Sequence, residues 1–76
     1  MIMTEAETLA RSLAAEAFGV STDAIPVGAP IGDVEAWDSL AHLRLILAVE
    51  ARLQRELTTE EAAGIVSLTD VARLLG

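Results

Sequence analysis

The sequence predicts a small all-α bundle: three substantial helices and one short helix, with a long loop between the first two. Three observations lead there. Apolar residues make up 53% of the chain and Ala and Leu dominate them, which favours helix; β-branched residues never form a sustained alternating run. Helix-start signatures recur at Thr4, Thr58 and Ser67, each a hydroxyl residue followed three positions later by an acid. Finally, Pro26, Gly28, Pro30 and Gly32 interrupt any regular period between residues 19 and 37. The 76 residues suffice for one domain, residues 1–76, and not for two.

Each element has its own local signal. Thr4-Glu5-Ala6-Glu7 is a capping box, with Thr4 as N-cap and Glu7 reaching back to it. Ala6, Leu9, Ala10, Leu13, Ala14 and Ala17 follow on one stripe, and Gly19 supplies a stop after Phe18. The first helix is therefore expected over Glu5 to Phe18. In the loop, Asp23 and Asp33 favour turns, with a turn of helix expected near Thr22 to Ile25. Val20, Ile25, Val27, Ile31 and Val34 can pin this loop to the core, so it is expected to be ordered.

A second helix is expected from Ser39 to Arg55, and it is apolar nearly all round. Leu45, Ile46, Val49 and Leu53 form one stripe. Leu40, Leu43 and Leu47 form another, spaced i, i+3, i+7, on the side of Ser39. Either two flanking helices cover both stripes, or the second stripe meets something outside the domain. Thr58-Thr59-Glu60-Glu61 opens a short helix to Gly64. Ser67-Leu68-Thr69-Asp70 opens the last, with Leu68, Val71, Leu74 and Leu75 packing inward.

Composition narrows the function classes. Without cysteine there are no disulfides and no thiolate metal sites, and the chain cannot supply a thiol of its own. One histidine and no clustered His/Asp/Glu spacing argue against a metal. The net charge of −7 lies mostly before Ser39, where seven acids face one arginine; afterwards five acids face four arginines. Sustained binding to nucleic acid or an anionic membrane is disfavoured. The acids suit partners with basic patches, or simply keep an apolar domain soluble. No apolar run reaches the length of a membrane span. Met1-Ile2-Met3 leads straight into acids, unlike a signal peptide, so the expectation is a complete, cytoplasmic chain. So small a domain buries only about 60% of its unfolded surface and has little room for a deep active site. A monomeric module on which other proteins act is expected, not an enzyme. Its core has Phe18 and Trp37 as the only aromatics, and such an aliphatic core can repack around a guest.

The chemistry concentrates in Trp37-Asp38-Ser39-Leu40-Ala41-His42-Leu43. Asp38 and Ser39 are preferred helix-start residues, and capping accounts for many such pairs. Nucleophilic catalysis by Ser39, His42 and Asp38 is a second reading. It fails on arrangement: Asp38 directly precedes Ser39, poorly placed to orient His42, and no Gly-rich oxyanion loop accompanies them. The third reading is that Ser39 is modified.

The second half of the chain bears on that third reading. Asp38-Ser39-Leu40 is followed by Leu43, Leu45, Glu50, Leu53, Leu57, Glu60-Glu61, Ile65, Leu68 and Leu74-Leu75. From Asp38 to Leu75 this closely resembles the acyl carrier protein family, whose members read DSL, a helix ending in a Glu-rich turn, an EE pair and a Leu-rich last helix. The first helix, Gly19-Val20 and the long loop match the family's layout, so the resemblance implies an acyl-carrier-type four-helix bundle. It also implies a 4′-phosphopantetheine arm on Ser39, added from coenzyme A by a phosphopantetheinyl transferase and holding acyl groups as thioesters. Asp38 would position the helix start and engage that transferase. Loading ligases or transferases and downstream synthase enzymes would be the other partners, reading Leu40, Leu43, Arg44 and Leu47. Leu45, Ile46 and Val49 match positions that line the core and, in fatty-acid carriers, an acyl-chain sleeve.

The chain departs from the fatty-acid type in the charge of its second helix. From Leu40 to Arg55 it has three arginines, Arg44, Arg52 and Arg55, against Glu50 alone. Partners that dock basic patches on an acidic helix should bind it poorly. Trp37 and His42 look instead like features of free-standing carriers of polyketide, nonribosomal peptide or aminoacyl pathways. His42 is expected as a solvated helix residue and Trp37 as an anchor packing the loop against the helix start; contact with the arm is the alternative for both. Two rival functions stay open: an aminoacyl or peptidyl carrier, and an unmodified helical interaction module using Leu40, Leu43 and Leu47.

Overall fold

The structure is a computed structural model describing residues 4–26, 28 and 30–76. Met1, Ile2, Met3, Val27 and Ala29 lie outside the described residues, and with them the readings of the first three residues and of Val27 as a loop anchor. Four helices make an all-α bundle, with no strand among the described residues: α1 Glu5–Phe18, α2 Ser39–Leu53, α3 Thr59–Ala63 and α4 Leu68–Leu75.

Local hydrogen bonds set most helix ends. At the start of α1, the Glu7 N–H donates to Thr4 Oγ1 at 3.0 Å and the Thr4 N–H to Glu7 Oε1 at 3.1 Å. Gly19 ends it at φ 71°, a left-handed conformation that costs a residue with a Cβ about 1–2 kcal/mol. The same reciprocal pairing opens α3, between Thr58 and Glu61. Before α4, Asp70 Oδ2 accepts the N–H groups of Val66 and Ser67, at 3.0 and 3.1 Å.

The described residues of the long loop are tied to helices on both sides. It contains 3-10 turns at Thr22–Ala24 and Ile31–Asp33; the second was not expected, and its Asp33 N–H donates to Pro30 O at 2.9 Å. Arg11 reaches from α1 to the first turn, donating from Nε to Ile25 O at 2.9 Å and from Nη2 to Thr22 O at 2.6 Å. Ile25 is thereby held fully buried. Further on, Pro30 and Ser67 form an isolated bridge, with the Ile31 N–H donating to Val66 O at 2.7 Å.

α1 is the common partner, packed against both α4 and α2. It therefore needs two buried faces, which is why Ala15 is buried although it lies off the stripe of Ala10 and Ala14. Leu45, Val49, Ile25, Leu68 and Val71 fill the space between. The shortest dimension, 18 Å, is about two helix diameters.

α2 ends at Leu53, two residues before the expected Arg55. Gln54 is left-handed, at φ 56°, and its N–H returns to Glu50 O. The chain is turned there by groups on either side of Gln54: Glu50 Oε2 accepts the Leu57 N–H at 2.8 Å, and Arg55 forms a two-pronged ion pair with Glu61, both contacts 2.9 Å. No described helix is long and apolar enough to cross a membrane.

Candidate functional site

The site is built at the first turn of α2. Asp38 is extended, at φ −91° and ψ −174°, and its Oδ1 accepts the Ala41 N–H at 2.8 Å. The His42 N–H donates to Asp38 O at 2.8 Å, so Ser39 is the first helical residue. Ser39 is exposed. The N–H groups of Ser39 and Leu40 have no carbonyl one turn back to meet, and the helix dipole adds partial positive charge there.

Trp37 fixes this turn in place. It is only 5% exposed, and its N–H donates to Val34 O at 3.0 Å. Its ring lies against Phe18 at the end of α1, with centroids 5.2 Å apart and a 39° tilt. On another side it stacks on His42, at 6.0 Å and 25°, and its Nε1–H donates to His42 Nδ1 at 2.9 Å. Trp37 therefore anchors the loop to both helices. The reading of His42 as a solvated helix residue is corrected: the ring is half-buried and bonded, because the turn sets it over the indole five residues earlier.

These contacts also separate the apparent Ser-His-Asp cluster. The nitrogen that a triad histidine turns toward its acid, Nδ1, here receives the Trp37 N–H, while Asp38 is occupied with its cap. Among the described residues no group of three or more His, Asp or Glu could hold a metal.

An open groove of about 510 Å³ borders Ser39, lined by Ile31, Gly32, Trp37, Asp38, Ser39 and His42. Ile31 and Gly32 were not anticipated; they arrive through the Pro30–Ser67 bridge, a long-range pairing without a local sequence signal. Leu45, Ile46 and Val49 are absent from the lining. Leu45 and Val49 are fully buried in the core, and Ile46 packs beside them half-buried. A second cavity, about 570 Å³, lies near Glu5, Leu9, Arg52 and Leu75 at the other end of α2. Arg52 stands about 20 Å along the helix from Ser39.

The two stripes of α2 have different fates. Leu40, Leu43 and Leu47 are 55%, 52% and 55% exposed, with none of the described helices covering them. Arg44, also exposed, stands one turn from Leu40 and from Leu47. The ion pairs among the described residues are Arg55–Glu61 and Arg73–Asp70, so Arg44 and Arg52 are outside both. The hydrogen bonds from Arg55, then that from the Thr58 N–H, hold the Glu61 carboxyl down to about 2. Compared with protein-family models and with curated proteins, the chain finds no match.

Proposed function

We propose that this chain is a carrier protein of the acyl carrier type, in which Ser39 bears a 4′-phosphopantetheine arm added from coenzyme A. The observation that carries the reading is an exposed serine at the first position of a helix whose outward face is apolar. When bound, the arm supplies the thiol that this cysteine-free chain lacks, on which acyl groups are held as thioesters. The residues present fit such a group. A phosphodiester on Ser39 Oγ would adjoin unpaired backbone N–H groups, which favour negative charge. One oxygen of the Asp38 carboxylate beside it, Oδ1, already accepts the Ala41 N–H. Trp37 and Ile31 offer apolar walls along the groove.

In this reading Ser39 is an attachment point and the chain is not itself an enzyme. Asp38 holds the helix start that a phosphopantetheinyl transferase must recognise. Leu40, Leu43 and Leu47 dock the enzymes that load and use the cargo, with Arg44 selecting acidic over basic patches. Because Leu45 and Val49 are closed in the core, an acyl chain would enter the bundle only by displacing them. The positive charge on α2 favours cargo pathways other than the ordinary fatty-acid one, including aminoacyl or peptidyl transfer. On this reading the expected place of work is the cytoplasm.

A second reading draws on the same leucines: an unmodified module that grips a partner through the open face of α2. Incubation with coenzyme A and a broad-specificity phosphopantetheinyl transferase separates the two by intact mass. The carrier reading expects a gain of one phosphopantetheinyl group that disappears in Ser39→Ala. No gain, or a gain that survives the substitution, sinks it.

A further inference from the structure

We infer that His42 is a positioning residue for the anionic phosphodiester at Ser39, offering it an N–H in a tautomer set by Trp37. The inference rests on the carrier reading above. An indole nitrogen only donates, so the 2.9 Å bond from Trp37 Nε1 needs a lone pair on His42 Nδ1. In the neutral ring the remaining proton then resides on Nε2. Nε2 has no hydrogen-bond partner among the described residues. No described buried side-chain nitrogen or oxygen lacks a partner, so Nε2 must reach the surface.

Geometry puts that surface beside Ser39. The two residues are spaced i, i+3 on α2, hence on one face, and both line the same groove. The indole that sets the tautomer is itself immobilised, being buried and packed on Phe18. Ring orientation and donor position are thus built into the fold before any group is attached. Asp38, the acid on the same groove, gives its Oδ1 to the Ala41 N–H, and its carboxylate makes no hydrogen bond to the His42 ring among the described residues. The ligand class is a phosphate ester, an acceptor with no proton to give at neutral pH.

The test compares apo and modified protein for the wild type, His42→Ala and Trp37→Phe, with intact mass reporting modification independently. Nitrogen NMR of the His42 ring and phosphorus NMR are read at a pH where the ring is neutral. Modification of the wild type should shift Nε2 while Nδ1 keeps the signature of an acceptor. The phosphorus resonance should differ between wild type and His42→Ala. Trp37→Phe, which retains a ring but no N–H, should lose the Nδ1 signature and most of the phosphorus difference. A full mass gain with an unmoved Nε2 and identical phosphorus resonances would overturn the His42 assignment and leave the carrier reading standing. An equal Nε2 shift in apo protein given inorganic phosphate would also overturn it, by showing a site for free anions. Absence of any mass gain would remove the carrier reading, and this inference with it.

Discussion

At Gln54 the backbone adopts φ 56° and ψ 37°, the conformation that Gly19 adopts at the end of α1. Glycine takes it without a Cβ clash; glutamine does so at a cost, offset by the bonds that Glu50 and Arg55 make around it. Gln54→Gly should therefore stabilise the domain by about 0.5–1 kcal/mol, after allowing for the freer unfolded chain. A urea midpoint that is unchanged or lowered would show that the glutamine side chain contributes more than its conformation costs. The contrast between Gly19 and Gln54 explains why one helix end was legible and the other was not. Glycine advertises a left-handed residue; glutamine does not.

The connection from α2 to α3 behaves as one electrostatic element. Arg55 binds both oxygens of Glu61, Glu61 also closes the capping box with Thr58, and Glu50 takes the Leu57 N–H. The Glu61 carboxyl is lowered from 4.5 to about 2, mainly by Arg55. A depressed acid contributes stability that is complete above its unfolded value and is lost as pH falls through the folded one. The stabilisation of α3 should thus fade between pH 4.5 and about 2. The carboxyl carbon of Glu61, followed by NMR, should titrate at the bottom of that window, and Arg55→Ala should return it toward the ordinary glutamate range. Titration of Glu61 at its ordinary value in the unaltered protein would show that the ion pair does not persist in solution.

For the whole molecule, the deciding fact is thickness. A bundle about two helices thick has one interior seam, and its stability rests on the few large side chains within it. Leu43 and Leu45 are near neighbours in sequence and differ only in which side of α2 they occupy: 52% exposed against 0%. Leu45→Ala should cost about 3 kcal/mol, a large share of what so small a domain possesses. Leu43→Ala should change stability by no more than about 0.5 kcal/mol and, on the proposed carrier reading, weaken partner docking. Denaturant unfolding of the two variants checks the division. Equal losses would mean that the outward stripe is covered within the domain after all.

The sequence by itself determined the helical class, the four helices and nearly all their ends, because a helix end is decided by residues within about one turn of each other. Thr4 with Glu7, Thr58 with Glu61, Asp38 before Ser39 and Gly19 after Phe18 are local arrangements, and local chemistry can be read along a chain. Periodicity displays two apolar faces on α2 without choosing between them; the family resemblance pointed to Leu45, Ile46 and Val49 as the core side, and the tertiary structure supplies the reason, with α1 packed against α2. It alone brought Ile31 and Gly32 to the groove, through a pairing with the start of α4. And it turned His42 from a residue expected in solvent into one held by Trp37, because that bond depends on an indole fixed from outside the helix by Phe18.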